Sequence, residues 1–193
     1  MEFHLDDRFW SDTVMLYSTI HPSPFGPLHL ASDGSHLVGL WMEGQKYFGG
    51  CVTGDLVPQD DLPLFTQTRQ WLDQYFAGEQ PAIASLPLAP SGSSFRKAVW
   101  ALLCEIPYGE TTTYGEIARV VANRTNLPSM SSQAVGGAVG HNPISIIIPC
   151  HRVVGRNGSL TGYAGGLAKK VQLLEHEGAM LPLFHIPSKG TAL

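Results

Sequence analysis

Ile144-Ser145-Ile146-Ile147-Ile148-Pro149-Cys150-His151-Arg152-Val153-Val154-Gly155 is the stretch around which this 193-residue chain is organised. Its apolar, β-branched run predicts a buried strand. The run ends on Pro149, which restricts the backbone and withholds an N–H, and then sets Cys150 beside His151. A cysteine is a nucleophile only as thiolate, and a neighbouring imidazole or a helix N-terminus lowers its pKa toward that form. Cys150 is therefore a candidate for chemistry. The competing reading is packing, because free cysteine behaves as a small buried hydrophobe and a Cys-His pair alone carries little information.

Two helices are predicted just upstream. Thr113-Tyr114-Gly115-Glu116 has the spacing of a capping box, and the helix runs through Ile117-Ala118 and Val120-Val121 to about Ala122. Asn123 to Pro128 reads as a loop, and Pro128 with Ser129 opens the second helix, which carries Gln133 to Gly140. Its three glycines cost about 1 kcal/mol each against alanine in helical propensity. That expense makes sense where another backbone, protein or nucleic acid, comes close. A helix–loop–helix is by itself weak evidence, since many such pairs only pack.

The rest of the chain reads as scaffold. Ser23-Pro24-Phe25-Gly26-Pro27 is a turn, Leu28 to Ala31 and Leu37 to Met42 are short strands, and Asp33-Gly34 marks the hairpin between them. Leu64 to Ala77 has helical spacing, with Phe65, Thr68, Trp71-Leu72 and Tyr75-Phe76 on one stripe and Gly78 at its end. Those aromatics read as core. Pro81 to Ser94 reads as an interdomain linker. Ser94 is the expected cap of a helix from Phe95 to Ile106, on which Cys104 is a packing residue.

Composition narrows the class. With 44% apolar and 15% charged residues, the chain suits a packed globular protein and not a disordered one. No apolar run approaches the ~20 residues that span a bilayer. Met1-Glu2-Phe3-His4-Leu5-Asp6-Asp7 lacks the order of a signal peptide. Cys51, Cys104 and Cys150 are odd in number and widely spaced, so neither a disulfide framework nor a zinc motif is expected. A cytoplasmic location, which keeps Cys150 a thiol, is the inference. The net charge of −4 divides unevenly. Residues 1–93 carry 3 Lys and Arg against 11 Asp and Glu, net −8, whereas residues 94–178 carry 8 against 5, net +3. The half with the candidate chemistry is the basic half, a balance that suits contact with a polyanion such as a nucleic acid.

Pro149-Cys150-His151-Arg152-Val153 resembles the active-site motif of the O6-alkylguanine-DNA alkyltransferases, also called methylated-DNA–protein-cysteine methyltransferases. The likeness runs from about Phe95 to Gly178, with several motifs in order, and more faintly through the N-terminal half, including Ser23-Pro24-Phe25-Gly26-Pro27-Leu28. It implies an α+β fold. Residues 1–90 would be a ribonuclease-H-like domain and residues 94–193 a mostly helical domain with a winged or helix-turn-helix DNA-binding unit, joined through residues 80–94. It also implies DNA repair by direct reversal. A flipped O6-alkylguanine in double-stranded DNA, with O4-alkylthymine as a second candidate, gives its alkyl group once and irreversibly to Cys150.

The family's roles carry over by position. Cys150 matches the acceptor, His151 the base acting through a water, and Glu177 the acid that orients the histidine. Asn142, before Pro143, matches the asparagine that holds the active-site turn. Tyr114 matches the tyrosine that crowds the rotated phosphate and bonds the base, and Tyr163 the pocket residue beside the alkyl group. Ala164 stands where serine is frequent, and Arg152 is expected in a structural ion pair. The second helix, with Gln133, Ala134, Gly136 and Gly137, would enter the minor groove. Gln133 stands where many members have an arginine finger, and Arg124 in the loop would supply a phosphate contact. Some members hold a structural zinc in the N-terminal domain, but Cys51, His4, His21, His29 and His36 do not offer its soft ligands. No metal or cofactor and no membrane are expected, and a monomer is. The rival readings are a cysteine hydrolase, which predicts turnover, and a non-catalytic lesion-binding helix-turn-helix protein, in whose relatives the acceptor cysteine is replaced.

Overall fold

The computed structural model describes residues 15–187, other than 51 and 53. His4, Cys51, the Met1–Asp7 segment and the last six residues lie outside them. The first half builds a four-stranded sheet from β1 (Leu16–His21), β2 (Leu28–Ser32), β3 (Leu37–Met42) and β4 (Leu56–Pro58) in the order β3-β2-β1-β4. β1–β2 and β2–β3 are antiparallel, and β4 lies parallel to β1. The turn before β2 is closed locally, with the Ser23 hydroxyl donating to Gly26 O at 2.6 Å and Gly26 N–H returning to Ser23 O. The Asp33-Gly34 hairpin forms, and Asp33 Oδ1 accepts the N–H groups of Ser35 and His36.

Helix α1 (Pro63–Phe76) buries Phe65, Thr68, Trp71, Leu72 and Tyr75, the stripe its spacing predicts. The segment after it is tied along the edge of the sheet. Leu86 is buried, Leu37 N–H donates to Pro87 O at 2.8 Å, and Ala89 N–H donates to Leu37 O at 3.0 Å. β3 is an edge strand whose outward amides need partners, and this proline-rich stretch, though poor in donors, supplies them.

Four helices make the second half: α2 (Ser94–Cys104), α3 (Tyr114–Arg124), α4 (Ser132–Gly140) and α5 (Leu167–His176). A short parallel pair, β5 (Thr112–Thr113) and β6 (Val153–Val154), joins them. Ser93 caps α2, one residue before the expected Ser94, its hydroxyl accepting from Arg96 N–H. The capping box at α3 is present in both directions. α4 begins at Ser132, later than Pro128-Ser129 suggests, because Ser131 Oγ accepts the N–H groups of both Gln133 and Ala134. Trp100 of α2 fixes α4 by donating its indole N–H to Ala138 O at 2.9 Å.

One apolar core runs through both halves, from Leu28 and Leu40 through Phe65 and Trp100 to Ile147 and Leu173. The seam is backbone-bonded: Leu40 N–H donates to Pro143 O and Ser145 N–H to Leu40 O, both at 2.9 Å. Gln45, also buried, accepts from Met42 N–H and from the Ser145 hydroxyl. The acidic half is thus the platform on which residues 142–150 sit.

Candidate active site

The buried run before Cys150 is not the strand its composition predicts. Only Ile144 makes a bridge, to Leu40; the remainder is a chain of tight turns in which Ile146 takes a φ of 69°. Such a conformation is uncommon for a β-branched residue and persists only where the surroundings impose it. Asn142 imposes it. Its Oδ1 accepts Ile144 N–H, and its Nδ2 reaches Ile144 O at 3.2 Å, Ile148 O at 2.8 Å and Cys150 Sγ at 3.1 Å. One buried amide therefore folds the turn and touches the sulfur. β propensity loses because these hydrogen bonds and complete burial satisfy the backbone another way.

Cys150 opens a short 3₁₀ turn, Cys150–Arg152, and is 4% exposed. Burial pushes its thiol up, against the Asn142 hydrogen bond and the charge of Lys170. The thiol is held as a thiol until something removes its proton.

His151 is fully buried, and its Nε2 lies 2.7 Å from Glu177 Oε1. Arg152 grips the same carboxylate through Nε at 2.8 Å and Nη2 at 3.0 Å, spending Nη1 on Ile106 O. The Tyr75 hydroxyl donates to Glu177 Oε1 at 2.8 Å. Burial works against charge on Glu177, yet the hydrogen bonds and charges of His151 and Arg152 hold its carboxyl well below the usual range. Burial in turn keeps the imidazole below its ordinary value despite Glu177. An ionised carboxylate only accepts, so Nε2 carries the hydrogen and the neutral ring keeps a lone pair on Nδ1. That Nδ1 is buried and has no hydrogen-bond partner. A buried, unpartnered basic nitrogen next in sequence to a buried thiol is a proton acceptor in waiting.

Beside the site, walled by Tyr114 and Tyr163, is a groove of about 930 Å³ between α3, α4 and the 161–167 loop. Tyr114 stands on its wall with its hydroxyl donating to Thr161 O at 3.1 Å; burial, opposed by the Thr161 side chain, pushes its pKa up to about 12. Tyr163 lines the groove too, but its hydroxyl is buried without a partner, and burial together with the charges of Cys150 and Glu177 raises it well above the ordinary value. Its ring is held by Gly165, where an added Cβ would lie 2.8 Å from a Tyr163 ring carbon and 3.0 Å from Met42 Sδ. Ala164 lies between them on the same lining.

Gln133 and Ala134 are exposed on the first turn of α4, and Gly136 packs toward the Tyr114 ring. Gly137 is exposed, and a Cβ there would meet nothing within 4 Å. The protein's own packing therefore does not require that glycine. Arg124 is not brought to the groove: it forms a bidentate pair with Glu105 at 2.8 and 2.9 Å, on the far end of α3. Arg119, one helical turn nearer, lines the groove instead.

Two residues escape sequence reasoning. Tyr75, read as core, is core by its ring and a Glu177 ligand by its hydroxyl; a 102-residue separation leaves no local signal. Lys170 is fully buried, donates to Val153 O at 2.6 Å and Thr161 O at 2.9 Å, and has its pKa lowered to about 8 by burial against the pull of Cys150. In sequence it is one of two adjacent lysines, and α5 alone decides which faces inward. Of the N-terminal histidines among the described residues, His21 meets Asp73, His36 meets Asp33, and His29 packs on Phe48.

Comparison with known proteins gives a consistent picture. Residues 94–179 match the family model described as 6-O-methylguanine DNA methyltransferase, DNA binding domain, and residues 15–90 match its ribonuclease-like domain. The chain is 45% identical over 162 residues to the methylated-DNA–protein-cysteine methyltransferase of Haemophilus influenzae, covering 84% of this chain and 86% of that protein. A similarly named protein of Methanosarcina acetivorans is 46% identical over 165 residues, 85% and 99% of the two chains. Among solved structures, Mycobacterium tuberculosis OGT in complex with DNA is similar with a TM-score of 0.70 at 42% identity, covering 86% of this chain and 94% of that one. The Methanococcus jannaschii O6-methylguanine DNA methyltransferase has a TM-score of 0.59 at 28% identity, covering 89% and 100%.

Proposed function

The chain belongs to the methylated-DNA–protein-cysteine methyltransferase family, and from that premise we propose that Cys150 is the acceptor, with His151 and Glu177 as its activating pair. The function is DNA repair by direct reversal, in which an alkyl group on O6 of guanine in DNA passes to a protein cysteine. The observation that carries the choice of Cys150 is the Asn142 amide, bonded at once to the turn and to Sγ, next to a histidine whose outer nitrogen is committed to Glu177. Cys104 has neither; burial raises its thiol to about 11, and it lies on α2.

In the proposed step, His151 Nδ1 takes the Cys150 proton through a water. The thiolate attacks the alkyl carbon in line; the C–S bond forms, the C–O6 bond breaks, and its electron pair returns to guanine. Tyr114 protonates N3 as charge develops there, and the imidazolium restores the phenol proton through the same solvent. The phenol is protonated at neutral pH, which a donor requires. The atoms balance without a metal or cofactor. The thioether has no leaving group better than carbon, so the transfer is irreversible and each molecule acts once. A titration with excess methylated duplex is expected to plateau at one methyl per protein; continued demethylation beyond that point would favour the hydrolase-like alternative.

Base extrusion fits α4. The open side of Gly137 leaves room for a nucleic-acid backbone, and Gln133, exposed at the first turn, is the residue we assign to the space left by the flipped base. Glutamine brings hydrogen bonds but no charge and little stacking surface. Gln133→Arg is expected to tighten duplex binding and steepen its salt dependence by roughly one phosphate contact, as measured by fluorescence anisotropy across a salt series. Equal slopes would contradict the assignment. Because Arg124 is spent on Glu105, Arg119 is the better candidate for a backbone contact from α3. We further assign residues 1–90 to the ribonuclease-H-like unit and 94–193 to the catalytic unit, acting as a monomer in the reducing cytoplasm, where Cys150 stays a thiol.

A further inference from the structure

One rim of the groove is contributed by the half that carries none of the chemistry. Between β3 and β4 the chain forms a tip at Lys46-Tyr47, and both residues line the groove. Lys46 N–H donates to Ala164 O at 2.8 Å, tying the tip to the loop that holds Tyr163. Gln45, just before it, is 6% exposed and bonds Ser145, so the base of the tip is fixed to the active-site segment. On the other side the Tyr47 ring stacks on His141, centroids 4.0 Å apart and planes 21° from parallel. His141 ends α4, and its Nδ1 donates to Gly137 O at 2.7 Å. The tip therefore bridges both walls of the groove, yet Tyr47 remains 44% exposed and holds a φ of 61°. A bulky residue kept in the left-handed region while nearly half in solvent is a strained conformation that its surroundings must impose.

Charge points the same way. Residues 1–93 are strongly acidic and hold only Arg8, Lys46 and Arg69 as cations. Arg69 is engaged with Asp60 and Thr19, and Arg8 lies outside the described residues. Lys46 is exposed, pairs with no carboxylate among the described residues, and sits 5.1 Å from the Tyr47 ring centroid. On the groove it joins Arg119 and Arg156. The one carboxylate of the lining, Glu116, is occupied by Thr112 and Thr113 in the cap of α3.

We propose that the Lys46–Tyr47 tip is a second DNA-contact element, in which Lys46 pairs with a backbone phosphate of the strand carrying the extruded guanosine and Tyr47, braced by His141, offers its face to the neighbouring nucleotide. It rests on the alkyltransferase reading and extends the DNA footprint beyond the helix-turn-helix. An ammonium beside an aromatic face is the pairing that single-stranded nucleic acid recognition uses, one group for the backbone and one for the base. A strand held open for extrusion presents both.

The test uses the full chain and three variants: Lys46→Ala, Lys46→Glu and Tyr47→Ala. Binding of an undamaged duplex is measured across a salt series, and single-turnover transfer is measured from a duplex carrying O6-methylguanine. Methylation of the protein by free O6-methylguanine, which has no phosphate, is followed by mass spectrometry as the reference. Lys46→Ala is expected to reduce the slope of log K against log salt by about 0.9, one phosphate's worth, and Lys46→Glu by more. The ratio of duplex to free-base transfer rate is expected to fall about tenfold in Lys46→Ala and in Tyr47→Ala. Unchanged slopes with an unchanged ratio would overturn the proposal. So would equal losses with both substrates, which would make the tip a brace for the site. Wild type that accepts methyl from neither substrate would defeat the alkyltransferase reading itself, a different outcome from either.

Discussion

Glu177→Ala is expected to lower the unfolding free energy by about 3–5 kcal/mol and to abolish methyl transfer. The side chain is buried and accepts from Tyr75, His151 and twice from Arg152. Removing it leaves the Arg152 guanidinium, 5% exposed, with only the Ile106 carbonyl and the face of Tyr108. Breaking a buried pair on one side costs that much because the remaining charge is uncompensated. The imidazole meanwhile loses the acceptor that fixes its tautomer, and Nδ1 is no longer reliably the basic nitrogen. Glu177→Gln separates the two effects: it keeps the shape, loses the charge, and should slow transfer by roughly 10²–10³-fold while costing less stability, an effect comparable to losing an orienting group in a triad. Urea unfolding with an unchanged m-value reads the first effect. A loss under 1 kcal/mol in Glu177→Ala would show that Arg152 finds another partner. The pH dependence has a definite sign. The folded carboxyl is held below its unfolded value near 4.3, so its stabilisation is complete above about pH 5 and drains away as pH falls through the acid range toward the folded pKa. Glu177→Ala should lack that component of the wild-type acid transition.

Cys150→Ser should reduce methyl transfer by more than 10³-fold while leaving the duplex bound. Oxygen fits where sulfur did, and Asn142 Nδ2 can still donate to it. A serine hydroxyl is far less acidic than a thiol, however, and a neutral imidazole cannot ionise it before the displacement. The alkyl carbon, unlike an acyl carbon, offers no tetrahedral intermediate to share the work, so the full nucleophilicity of the thiolate is needed. A gel-shift titration with the methylated duplex checks the binding, and a single-turnover assay checks the chemistry. Residual transfer within tenfold of wild type would move the acceptor away from residue 150.

The elements of this fold were legible where local chemistry decides them. The Thr113–Glu116 capping box, the Asp33-Gly34 hairpin and the α1 stripe form where their spacing predicts. The Ile144–Ile148 run was misleading because β-branched composition reports burial, and here burial came with a turn built by a side chain, Asn142, that periodicity does not weigh. Pro81 to Ser94 reads as a linker because proline and serine suit loops; that it also lies along β3 was not legible, because the unmet hydrogen-bonding edge of β3 is a tertiary demand. At the site, Cys150, His151, Asn142 and Glu177 were legible through the motif's resemblance, and the structure brings them together. Arg124 is not with them, since a free-looking loop cation found Glu105 across nineteen residues. Tyr75 and Lys170 were silent for the same reason: each acquires its partner only when distant segments meet.

The most direct test of the account is the mass of the intact protein after incubation with a duplex containing one O6-methylguanine, followed by mapping of the modified peptide. Wild-type protein is expected to gain one methyl group, no more at any excess of substrate, carried on the peptide containing Cys150. A protein that binds the duplex and returns unmodified, or one that carries its methyl on Cys104 or Cys51, would contradict it.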